Sequence, residues 1–142
     1  MTDEPTLAVR PALADDEMSA LFAAAWGGDG AVGWGPILSR SLTWVAARRH
    51  DRLVGFVNVA TDGGAHAFLV DTTVHPDEQR RGLGTRLVRA AADEARVAGA
   101  DWLHVDFEPH LTAFYRACGF RPTDAGLLDL TALAADGPPG RS

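Results

Sequence analysis

Gln79-Arg80-Arg81-Gly82-Leu83-Gly84 is the stretch whose residue types and spacing most clearly invite chemistry. Gly82 and Gly84 let a ligand approach the backbone, and a helix opening behind them would aim unpaired amides at it. The helix dipole and the side chains of Arg80, Arg81 and Arg86 add positive potential, so phosphate groups are the natural guests. Two familiar phosphate loops do not fit. A Walker loop closes on Gly-Lys-Ser/Thr, and this chain contains no lysine. A dinucleotide fingerprint needs a third glycine in the opening turn of the helix, and none stands between Gly84 and Gly99.

The elements that must position this loop are legible on both sides of it. Residues 69–74 are rich in β-branched types and closed by His75-Pro76, as a strand ends where proline cannot continue the ladder. They complete an expected central strand over 65–74. From Thr85 onward Leu87, Val88, Ala91, Ala92, Ala95 and Ala98 recur at helical spacing, and Gly99 supplies the stop. Upstream, residues 6–10 read as a strand, and 14–26 read as a helix with Asp15, Asp16 and Glu17 in its first turn. After a glycine-rich connection come a short helix over 36–42 and an antiparallel hairpin of strands over 43–48 and 53–61. Downstream, 101–107 alternates as a strand, Pro109 precedes a helix over 110–118, and one or two closing strands are expected within 120–130. The ends, 1–5 and 134–142, are expected to be disordered. This order predicts an α/β (α+β) fold, a mixed sheet with helices on both faces, in one domain over 1–142.

Val74-His75-Pro76 followed by Gln79-x-x-Gly82-x-Gly84, with Phe114-Tyr115-Arg116-Ala117-Cys118-Gly119-Phe120 downstream, resembles the GNAT N-acetyltransferase superfamily along nearly the whole chain. The resemblance implies acetyl-CoA as cosubstrate and no metal. It implies that the strand ending at Val74 splays from the strand over 101–107, and that the pantetheine arm enters the wedge like an added strand. Thr73 and Val74 would then meet the pantetheine, and Gln79, Arg80, Arg81, Gly82, Leu83, Gly84 and Thr85 would surround the pyrophosphate. Tyr115, the only tyrosine, takes the family's role of proton donor to the departing thiolate; an aromatic packed beneath the sheet is the alternative. Glu108 stands where several members carry a cofactor-contacting asparagine, so its carboxylate is expected to face substrate instead. Asp71, Asp106 and Glu108 are the acids placed to meet an amine or take its proton, each with a solvated structural acid as the alternative. Residues 27–42, with Trp34, correspond to the segment that shapes the acceptor pocket; a plain surface connection is the other reading.

The implied reaction is direct acetyl transfer from acetyl-CoA to an amine of a small molecule, peptide or protein. An acyl-CoA sensor of the same fold with little turnover is the second reading, and homodimers are common in the family. Composition narrows the remaining classes. A net charge of −6 and a pI near 5.2 argue against nucleic-acid binding. No apolar run is long enough to cross a membrane, and a cytoplasmic location is expected. A single cysteine, Cys118, forms no internal disulfide and no cysteine-built metal site. His66, His104 and His110 lack a metal-binding spacing, although His104 alternates with Asp106 and is a candidate for a proton relay.

Overall fold

The computed structural model describes residues 3–28 and 32–136. Its centre is one sheet in the order β1 (Thr6–Val9), β2 (Thr43–Arg49), β3 (Arg52–Thr61), β4 (His66–Val74) and β5 (Trp102–His104). The first three pairings are antiparallel and β4 pairs with β5 in parallel. Helices α1 (Asp15–Trp26) and α2 (Trp34–Ser39) connect β1 to β2; α3 (Leu83–Val97) crosses from β4 to β5; α4 (Thr112–Ala117) and α5 (Leu130–Asp136) follow.

Two apolar clusters cover the two faces. Leu83, Leu87, Val88, Ala91 and Ala95 recur along one side of α3 and pack on Val45, Val57, Val59, Ala67 and Leu69 of the sheet. Gly55 permits this approach, since a Cβ there would lie 2.8 Å from Leu87 Cδ1. On the opposite face Met18 and Leu21 of α1 join Trp34, Ala46, Leu53 and Phe56. Glu17 ties α1 to β2 through a two-pronged pair with Arg48, at 2.7 and 2.9 Å, and accepts the Ala14 amide at the helix start.

Three departures from the sequence reading bear on the site. The strand expected over 101–107 is paired only from Trp102 to His104, with Phe68↔His104 the last partners. Beyond it Val105 and Phe107 turn into the α3-side cluster while Asp106 and Glu108 stay exposed, which draws the chain away from β4. β4 runs on to Val74, so its outer edge is open over residues 69–74. The closing strands expected within 120–130 are absent from the sheet: residues 121–129 are irregular and exposed, and Pro122 has no amide to give a ladder. Asp129 instead caps α5, its Oδ1 accepting the Thr131 and Ala132 amides. Residues 134–136, expected to begin a disordered tail, lie in that helix, and residues 3–5, also expected to be disordered, are held, with Pro5 buried and Asp3 paired to Arg49; 1–2 and 137–142 fall outside the described residues. Among the described residues, no helix is long and apolar enough to cross a membrane.

Candidate active site

A β-bulge in β4 sets the geometry of the site. Phe56 faces Thr73 and Asn58 faces Val70, so Asp71 and Thr72 together oppose Val57. Asp71 absorbs the extra residue with φ +59°, a left-handed conformation that aspartate tolerates better than most residues. Val57 and Val59 pack toward α3, so Asn58 between them faces the α1 side, and the Asp71 carboxyl bonded to Asn58 lies there too. Thr72 turns the other way and hydrogen-bonds Tyr115. The bulge therefore presents an acid on one face and a phenol-bonded hydroxyl on the other.

Tyr115 is only 6% exposed. Phe107 stacks on its ring at 4.7 Å, and Phe114 and Phe120 meet it edge-on at 4.9 and 5.7 Å. Burial pushes its phenol above the ordinary value, the Thr72 bond partly offsets the rise, and Cys118 and Asp106 add to it. The Asp71 carboxyl retains exposed surface, but surrounding protein strips enough hydration to push it up, less the effect of the Asn58 bond. Cys118 is pushed up by burial, with a bond to Thr85 working against the rise, so it is a poor nucleophile.

A cavity of about 420 Å³ joins Tyr115 and Thr72 to Val74, Gln79, Arg80, Gly82, Gly84 and Thr85. Leu111, Phe114, Ala25 and Trp26 complete its apolar wall. A short 3-10 turn, Pro76–Glu78, leads into the loop, where Arg80 (φ +64°) and Gly82 (φ +84°) adopt left-handed backbone that curls the chain into the start of α3. The first amide bonded within the helix is that of Arg86, to Gly82 O at 3.1 Å. The amides just before it are left for a ligand. A Cβ on Gly82 would meet nothing within 4 Å, whereas one on Gly84 would stand 3.2 Å from Phe114 Cζ. Free amides at a helix start, an open strand edge and an apolar cavity reaching a buried phenol fit a ligand with a phosphate head and a long arm that pairs along the strand edge.

Most residues singled out in the sequence converge here, but several do not. Gln79, Arg80, Gly82, Gly84, Thr85, Val74 and Tyr115 border the cavity. Gln79 Nε2 donates to Val74 O at 3.2 Å. Leu83 is buried in the core, leaving only its backbone to a ligand, and Arg81 borders a separate, smaller cavity. Thr73 points to the α1 side, where its hydroxyl accepts from Trp26 Nε1 at 3.2 Å and donates to Asp71 O at 3.0 Å. Thr72 holds the cavity position in its place. Trp34 does not border the cavity: it is 5% exposed and packs between Phe22 and Phe56 at 5.1 and 5.3 Å. Asp106 and Glu108 are exposed on the irregular segment before α4, Asp106 near enough to act on Tyr115. His104 meets His66 at 2.7 Å at the far end of β4, where its strand partner Phe68 lies six residues before Val74, and so stands away from the phenol. Among the described residues, no group of three or more His, Cys, Asp or Glu could hold a metal ion. Thr72, Trp26 and Glu78 are cavity residues that sequence reasoning missed. Thr72 depends on the bulge and Glu78 on a distant partner, so neither carried a local signal.

A profile of the acetyltransferase (GNAT) family matches residues 10–120. An uncharacterized N-acetyltransferase from Porphyra purpurea is 36% identical over 69 residues, 49% of this chain and 40% of that protein. The match thus spans about two-fifths of that relative's length. Among solved structures, a GNAT-family acetyltransferase from Streptococcus pneumoniae TIGR4 superposes with a TM-score of 0.70 at 25% identity, covering 88% of this chain and 98% of the other. A Bacillus subtilis acetyltransferase in complex with CoA superposes at 0.67 and 23% identity, covering 83% and 77%. With the profile spanning residues 10–120 and the fold matching over 88% of its length, the chain belongs to the GNAT acetyltransferase family.

Proposed function

We propose that this protein is an N-acetyltransferase that moves the acetyl group of acetyl-CoA directly onto an amine. One observation carries the reading: a single cavity joins the open amides at the start of α3 to the buried phenol of Tyr115. The CoA complex of the Bacillus subtilis structure supports the choice of ligand.

Bound acetyl-CoA supplies an activated acyl carbon and a thiolate leaving group. The backbone from Arg80 to Thr85 holds the pyrophosphate through its amides, aided by the α3 dipole and the Arg80 side chain. The open edge of residues 69–74 orients the pantetheine arm. Burial keeps the Tyr115 phenol protonated at neutral pH, the form a proton donor needs. As nitrogen bonds to the acyl carbon and the carbon–sulfur bond breaks, Tyr115 gives its proton to sulfur. Asp71, on the α1 face, takes the proton that nitrogen loses through water, and its raised carboxyl makes it a better acceptor than an ordinary aspartate. Solvent exchange returns that proton to the phenolate, so amine and thioester become amide and thiol with no net proton change. Asp106 and Glu108, exposed on the segment before α4, attract a cationic acceptor.

Calorimetric titration with acetyl-CoA, followed by thiol release across a panel of amines, tests this reading. Saturable binding and release with at least one class of amine are expected. Tight binding without release from any amine would leave the acyl-CoA sensor in its place.

A further inference from the structure

Glu78 poses a problem for an anion site. It is the residue before Gln79, it borders the main cavity, and it is only 3% exposed. A carboxylate so placed would repel the phosphates the loop is built to take. The structure resolves this through Arg49 of β2. Its Nε and Nη2 donate to the two Glu78 carboxylate oxygens at 2.5 and 2.9 Å, the planar fork matching both at once.

Arg49 also reaches the N-terminal segment, donating to Asp3 O and pairing with the Asp3 carboxylate at 3.0 Å. Arg86, in the first turn of α3, donates to Pro5 O at 3.0 Å. Together these residues wall a second cavity of about 190 Å³ beneath the loop, and Glu78 borders both cavities. Its charged wall holds Arg49, Arg81 and Arg86 against Asp3, Glu4 and Glu78, a balance that depends on Arg49.

We propose that Arg49 is a positioning residue for the phosphate loop, one that cancels the Glu78 charge facing the CoA phosphates. This rests on the reading that the loop receives those phosphates. It also separates two roles that a plain structural brace would join. A brace fails alike when either partner is changed, whereas a charge screen fails only when the arginine is lost.

Titration of the full chain with free CoA at low salt, using Arg49→Met, Glu78→Gln and the double variant, distinguishes them. Arg49→Met is expected to weaken CoA about tenfold or more, with the deficit shrinking at about 0.5 M salt. Glu78→Gln, which keeps an acceptor for Arg49, is expected to bind CoA at least as tightly as the native chain. The double variant should return to within about threefold of native, because the interaction between the pair is removed along with its liability. Equal losses in the two single variants, or an Arg49→Met variant with native affinity and salt dependence, would overturn the proposal. If Arg49→Met does not fold, Glu78→Gln still decides, since weakened binding there contradicts the screen. A native chain that fails to bind CoA would overturn the proposed function as well, whereas native binding with the wrong pattern among variants overturns the role of Arg49 alone.

Discussion

Replacing Tyr115 by phenylalanine removes one oxygen from the centre of the account and little else. The ring keeps its cage of Phe107, Phe114 and Phe120, so the packing that seats α4 on the sheet survives. The lost bond to Thr72 is worth about 1 kcal/mol, partly offset because a buried hydroxyl no longer needs satisfying. Stability should therefore fall by about 1 kcal/mol or less. Turnover should respond far more, because positioned proton transfer contributes about 100-fold or more and no second phenol exists to replace it. The assay pairs thiol-release kcat with calorimetric CoA affinity and urea unfolding. The expected pattern is kcat down about 100-fold, with affinity within about threefold of native. Unchanged kcat would refute the donor role. A loss confined to affinity would make Tyr115 a wall of the cavity and no more.

Other substitutions probe the elements around it. Gly84→Val places carbon where even a Cβ lies 3.2 Å from Phe114, at the cavity wall, and should weaken CoA about tenfold or more by calorimetry. Gly55→Ala drives a methyl to 2.8 Å from Leu87 and 3.3 Å from Ala47 and Leu83, and should cost about 1–3 kcal/mol in urea unfolding. Asp71 gives a pH dependence. Its folded carboxyl is raised, so the stability it contributes is present below the unfolded value near about 3.9 and is lost as pH rises through the folded one. Asp71→Asn should accordingly gain on the native chain between acid and neutral pH, measured by unfolding at both, while its turnover at neutral pH falls.

Much of this fold was legible because the burial pattern repeats. The apolar stripe of α3, the Pro76 stop and the Gly82 turn each leave a local mark, and the helix and loop fall where that mark puts them. The bulge leaves none. Nothing near Asp71 announces a positive φ, yet that one extra residue reverses which threonine reaches the cavity, giving Thr72 the place expected of Thr73. Trp34 illustrates the reverse difficulty. A tryptophan in a glycine-rich segment reads as exposed to ligand, while Phe22 and Phe56, distant in sequence, supply the pocket that buries it. The closing strands expected within 120–130 do not form because strand pairing is a long-range outcome, and Asp129 offers a local cap that favours helix instead. Glu78 and Arg49 stand 29 residues apart, a separation that no motif reading bridges.

The most direct test of the account is a crystal structure of the protein with acetyl-CoA bound. The pyrophosphate should accept hydrogen bonds from the amides between Gly82 and Thr85, the pantetheine arm should pair along residues 69–74, and the thioester sulfur should lie within hydrogen-bonding reach of Tyr115 Oη. Acetyl-CoA seated elsewhere, or seated here with its sulfur turned away from Tyr115, would contradict it.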